Sequence, residues 1–125
     1  MSPTRSTLFA CALLALLVPT AAQPQSTTPV NNAPYLFETV DSYDVRGGPS
    51  QVVVTGVLQG EAAPTTLVFR YSAASGSSYE SPRTFERCER MALLAMSKPG
   101  QYLLELRQDS VSGYTLQVGC KLTRR

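Results

Sequence analysis

The chain has no histidine and no tryptophan, three cysteines, and a near balance of 11 basic against 9 acidic side chains in 125 residues. Without histidine it lacks the usual general base and the commonest metal ligand. Ser-His-Asp hydrolases, Cys-His proteases and His-ligated zinc enzymes in their ordinary forms are therefore excluded. Ser-x-x-Lys, Gly-x-Ser-x-Gly and Cys-x-x-Cys are also missing. A serine nucleophile would have to take its base from Lys98, Lys121 or a carboxylate. The formal net charge of +2 is too small for polyanion binding, which requires several phosphates to be neutralised together. The reading is of a non-catalytic protein with no cofactor, no metal and no nucleic-acid partner.

The one long apolar run, Leu8 to Val18, follows Arg5 and is closed by Pro19-Thr20-Ala21-Ala22. A run of this length is too short for a bilayer, which needs about 20 residues as a helix, and the arrangement is that of an export signal. Small residues at Thr20 and Ala22 place the cut after Ala22, so 1–22 is expected to be removed and no membrane-spanning helix to remain. Leu8-Phe9-Ala10-Cys11 has the look of a lipobox, yet the apolar stretch continues past Cys11, whereas a lipobox closes it. The expected location is secreted or periplasmic. Residues 23–34 contain three prolines and no charge, and read as a flexible linker. Residues 35–125 then form one small domain, close to the size at which a covalent staple helps.

Once the signal is removed, Cys88 and Cys120 remain. Two cysteines in an exported chain are most simply one disulfide, here closing a loop of about 33 residues. Two periodicities agree with that pairing. At 100° per residue from Ser81-Pro82, a serine N-cap followed by proline at the first helical position, Phe85, Cys88, Ala92, Ala95 and Met96 share one arc. Arg83, Glu86, Arg87 and Arg90 lie opposite, Glu86 and Arg90 being at salt-bridge spacing, and Leu94 is out of place among them. Lys98-Pro99-Gly100 ends the helix. In the last strand, 114–122, alternation puts Tyr114, Leu116, Val118, Cys120 and Leu122 on one face. Both sulfurs thus point into the same core, and the helix is expected to pack on that strand.

The remaining elements are read in the same way. Residues 35–40 form a short strand, and 46–50 a dense turn. Residues 51–59, with three consecutive valines and Gly56, make the clearest strand, the glycine marking a bulge, a bend or a close approach. A turn at 60–64 leads to a strand at 65–71 with Leu67, Phe69 and Tyr71 on one face and Thr66, Val68 and Arg70 on the other. Residues 101–107 alternate as a strand, and 109–113 form a turn. The expected class is α+β, mainly β, in the order β-β-β-α-β-β. That order fits either a five-stranded antiparallel sheet crossed by one helix or a partly open barrel of the OB type, stapled by a disulfide.

The loop 72–81 is rich in small residues. Its Ser75-Gly76-Ser77-Ser78-Tyr79 resembles the Ser-Gly-x-x-Tyr loop of bacterial lysozyme inhibitors of the C-type class. The resemblance implies an exported barrel that inserts the loop into an enzyme cleft. The basic residue usual in that loop is missing here, as is a cysteine in the N-terminal half of the mature chain. The main reading is a monomeric binding or interaction domain whose partner is a protein or an envelope component. The alternative is an enzyme inhibitor acting through 72–81. A hydrolase built on carboxylate pairs such as Asp41 with Asp44, or Glu86 with Glu89, is the third. Candidate binding residues are Tyr43, Arg46, Arg70 and Tyr71 on a sheet face, with Ser75 and Tyr79 in the loop.

Overall fold

A computed structural model describes residues 25–47, 50–72, 80–111 and 115–125. The export-signal reading for 1–22 lies outside these residues, as do Ser75, Tyr79 and most of the small-residue loop. The fold is mainly β with one helix. Among the described residues seven strands lie in chain order β1 (Ser26–Thr27), β2 (Pro34–Phe37), β3 (Ser42–Arg46), β4 (Gln51–Val57), β5 (Pro64–Arg70), β6 (Tyr102–Val111) and β7 (Thr115–Arg124). The helix α1 (Glu80–Ser97) sits between β5 and β6. Four strands form one sheet in the order β1-β5-β4-β3, and three form a second in the order β2-β6-β7.

Of the strand expected over 35–40 the structure keeps 35–37, in β2, and it adds β3, which the sequence reading did not include. β2 pairs with β6 and β3 with β4, both antiparallel, and the chain changes sheet over residues 38–41. The end of β4 runs alongside this corner. Val57 O accepts from Glu38 N at 2.8 Å, Thr55 O accepts from Asp41 N at 2.8 Å, and Phe37 bridges to Leu58. Gly56 makes the crossing possible, because a Cβ there would lie 2.1 Å from Thr39 O, well inside contact distance. Of the three readings of that glycine, a bulge, a bend or a close approach, the structure bears out the last.

Alternation builds the core as the sequence implies. Val52 and Val54 of β4, Leu67 and Phe69 of β5, Leu104 and Leu106 of β6 and Val118 of β7 are buried, and Phe37 joins them at the corner. The helix buries Cys88, Ala92 and Ala95, small residues that allow close approach to the sheets, with Phe85, Met91 and Met96 partly covered. Cys88 and Cys120 are joined by a disulfide with Cα atoms 5.5 Å apart, fixing α1 to β7. Gly100, at φ +78°, turns the chain after the helix into β6.

Three expectations need correction. The turn expected at 109–113 is shorter, because Asp109, Ser110 and Val111 stay in β6 opposite Gln117, Leu116 and Thr115. Arg107 Nε, 2.7 Å from Asp109 Oδ1, neutralises the turn-forming carboxylate there. Residues 25–34, expected to be linker, lie along the fold: Ser26 and Thr27 pair in parallel with Thr66 and Leu67, and Pro29 is buried. Composition pointed to a tether because the groups that hold this segment are largely backbone amides and carbonyls, which composition does not report. Glu86 and Arg90 are both exposed and form no ion pair among the described residues.

Candidate functional site

Strand parity and register create a patterned outward face on the four-stranded sheet. Val52, Val54, Leu67 and Phe69 point inward, so Gln51, Val53 and Thr55 of β4 and Thr66, Val68 and Arg70 of β5 point out. Pairing brings these residues into rows. Arg46, Gln51 and Arg70 are directly opposite one another, Asp44, Val53 and Val68 form the next row, and Ser42, Thr55, Thr66 and Ser26 the third. A polar, cationic row therefore borders two valines flanked by the Asp44 carboxylate, and these border a row of hydroxyls. Thr55 Oγ1 and Thr66 Oγ1 share a 2.8 Å hydrogen bond. Ser26 and Thr28 complete a shallow groove of about 410 Å³ over this face.

The two arginines of the groove differ in surroundings. Arg46 Nε donates to Asp44 Oδ2 at 2.7 Å, a half-exposed pair of the kind that contributes little to stability. Arg70 has no ion pair among the described residues, while its backbone amide is held by Gln108 Oε1 at 2.5 Å. Its position is thus fixed by the fold and its guanidinium charge is uncompensated. A cation presented this way beside an amide and two valines suits a group that carries negative charge next to an apolar part.

The tyrosines proposed with these arginines sit on the other face. Tyr43 lies opposite buried Val54 and packs against the core. Its hydroxyl is buried without a hydrogen-bond partner among the described residues. Burial, and then the nearby charges of Glu89 and Tyr71, push its ionisation well above the ordinary phenol range. Tyr71 stacks on Phe85 of α1 with ring centroids 4.1 Å apart, and its hydroxyl donates a long 3.5 Å bond to Arg46 O. Arg46 and Arg70 are therefore brought together, whereas Tyr43 and Tyr71 lie under the helix.

Sequence reasoning missed Gln108. It follows Leu104 and Leu106 at an inward position and is buried, its Oε1 accepting from Arg70 N and its Nε2 donating to Asn31 Oδ1 at 2.6 Å. Its carbonyl accepts from Asn32 N at 2.7 Å, and Asn32 Oδ1 accepts from Ser110 N at 3.2 Å. Asn32 has φ +63°, which asparagine tolerates better than most residues. Continuing the Leu104 and Leu106 alternation by one step would have flagged a polar residue at a core position. Close by, Ser72 N donates to Leu116 O at 2.9 Å and Leu116 N donates to Ser72 Oγ at 3.0 Å, linking the end of β5 to β7.

The outward face of the three-stranded sheet holds a second depression, of about 280 Å³, near Glu105, Arg107 and Lys121. There Glu105 is opposite Lys121 in register, and Arg107 is paired with Asp109. Among the described residues no cluster of three potential metal ligands occurs, and no helix is long and apolar enough to cross a membrane. Comparison of the chain with protein-family models, with curated proteins and with solved structures gives no match.

Proposed function

We propose that this chain is an exported, non-catalytic binding module that takes its ligand on the outward face of β3, β4 and β5. The observation that carries the reading is the uncompensated Arg70, held in register beside Gln51 and over the Val53 and Val68 floor. The disulfide is compatible with an oxidising compartment outside the cytoplasm. The two sheets can be counted as one partly open barrel of OB type, with β2 and β3 as a single bent strand. Support for that count comes from the Phe37 to Leu58 bridge at one corner and the Ser72 to Leu116 bonds at the other. In barrels of that type the second and third strands bind the ligand, and here those are β4 and β5. The ligand class is a protein or envelope component bearing carboxylate or phosphate groups.

Titrating isotope-labelled protein with acidic peptides and anionic saccharides tests the reading. Amide signals of Arg46, Gln51, Val53, Val68 and Arg70 should shift together, and Arg70→Glu should abolish binding. A ligand that binds while leaving those signals still refutes the face. Inhibition of an enzyme through 72–81 is the second reading, favoured by the anchoring of Ser72 to Leu116 where that stretch begins. Deleting 73–79 removes all activity of an inhibitor and little of a sheet-face binder.

A further inference from the structure

Residues 25–32 are held differently from the rest of the fold. Within them Pro29 alone is buried, and β1 pairs with β5 over just two residues, Ser26 with Thr66 and Thr27 with Leu67. The other ties gather at the far end of the segment. Val30 N donates to the Tyr35 hydroxyl at 2.8 Å, Asn32 N to Gln108 O at 2.7 Å, and Gln108 Nε2 to Asn31 Oδ1 at 2.6 Å. Segments with so little buried apolar surface open locally, well below the free energy that unfolds the core. Yet Ser26 and Thr28 line the groove on the β3-β4-β5 face together with Thr66, Val68 and Arg70.

Two links join the docking of this segment to the cation of the groove. Arg70 N can only donate, so Gln108 turns its oxygen to it, and the Gln108 NH2 group is left for Asn31. Gln108 is 3% exposed while the segment is docked. Lifting residues 31 and 32 frees that amide to rotate toward water, which loosens its hold on the Arg70 backbone. The second link runs through Tyr35, which receives Val30 N and meets Phe69, the residue before Arg70, edge to face with ring centroids 6.0 Å apart.

We infer, building on the sheet-face reading, that residues 25–32 are a hinged wall of the groove, whose docked state is the one that binds ligand. A ligand that touches Ser26 or Thr28 as well as Arg70 makes more contacts with the docked state than with the open one, and therefore shifts the segment toward docking. By the same linkage, whatever draws residues 25–32 off β5 weakens the hold on the ligand.

Hydrogen exchange of the full chain, read amide by amide, tests the wall first without ligand. The amides of Val30, Asn32 and Ser110 should exchange through one local opening that low urea leaves unchanged. Asn31→Ala should speed Asn32 and Ser110 roughly fivefold, the effect of one hydrogen bond. It should also speed Arg70 N, which is joined to Asn31 through Gln108, and leave the amides of Leu104 and Leu106 as they were. Digalacturonate and tri-glutamate are then the probes, each bringing carboxylates to Arg70 and polar groups to Ser26 and Thr28. At ten times its dissociation constant, a probe that needs the docked wall slows exchange of Asn32 and Ser110 about tenfold. Shifts at Val53, Val68 and Arg70 with exchange of the segment unchanged or faster overturn the hinged wall and leave the binding face standing. No shift with either probe refutes the face, and the wall's role with it. Exchange of Asn32 and Ser110 only by global unfolding, or an Arg70 amide indifferent to Asn31→Ala, overturns the wall whichever probe binds.

Discussion

Replacing Cys88 and Cys120 by alanine removes the covalent link between the helix and the last strand while keeping small apolar side chains at both positions. The cysteines are 32 residues apart, and the enclosed loop carries just over half of α1, all of β6 and just over half of β7. Closing a loop of about 33 residues restricts the unfolded chain by roughly 3.7 kcal/mol at 25 °C. For a domain near 100 residues that corresponds to a drop in melting temperature of roughly 15–30 °C. Alanine suits the test better than serine, because Cys88 is fully buried beside Ala92 and an unpartnered hydroxyl there would add about 1–3 kcal/mol of its own. Urea unfolding followed by circular dichroism measures the change. The slope should rise as well, since the unlinked chain exposes more surface on unfolding. Thermal curves of the parent with and without reductant provide a second estimate, in which nothing but the bond differs. A shift below about 3 °C by both routes would refute the loop-entropy reasoning.

Further outcomes follow from single side chains. Gly56→Ala should cost about 3 kcal/mol or more in chemical unfolding, because the new methyl group meets the backbone oxygen of Thr39, which cannot move without opening the corner. Tyr43→Phe should raise stability by about 1 kcal/mol by removing a buried hydroxyl that has no partner. The same variant checks the phenol's ionisation. With the folded pKa raised above the ordinary value of 10.0, the stability linked to Tyr43 is complete below about pH 10 and declines as pH rises further, so the decline should be smaller in the phenylalanine variant. Gln108→Leu should cost about 1–3 kcal/mol by leaving Arg70 N and Asn31 unpaired, and should speed amide exchange and proteolysis across residues 25–32.

Strands and helix were legible where burial imposes a period. Val52 and Val54, Leu67 and Phe69, and Leu104 and Leu106 alternate because one side of each strand is core, and Cys88, Ala92 and Ala95 repeat because one side of the helix is. The disulfide followed from both periods. The corner at residues 38–41 was not legible, since it depends on a glycine in another strand and on backbone bonds to Val57 and Thr55. The path of Ser26 to Asn32 was hidden for a similar reason: its hold on β5 and β6 rests on amides, carbonyls and two asparagine side chains. At the candidate face, parity within β5 had already set Tyr71 with Leu67 and Phe69 and Arg70 against them. Grouping Tyr71 with Arg70 set that parity aside, and the structure places the ring on Phe85. Joining Arg46 to Arg70 needed the pairing of three strands through Gln51, which no single strand contains.

The clip formed by Asn31, Asn32, Gln108 and Ser110 bears on the timing of folding. Its side-chain bonds join positions 77 and 78 residues apart, about three quarters of the separation between the first and last described residues. Contacts of such separation form late, because a long loop must close before they return any energy. A ribosome makes residues 25–32 first among those described and their partners near the end, and a chain threaded N-terminus first through a membrane delivers them in the same order. Ser26 and Thr27 can pair with β5 once residues 66 and 67 are made, but Asn31 and Asn32 must wait until β6 arrives. During that interval the edge of β5 is covered by two residue pairs that lack the clip behind them, which makes it the place where a chaperone would gain most by binding and where premature association between chains would begin.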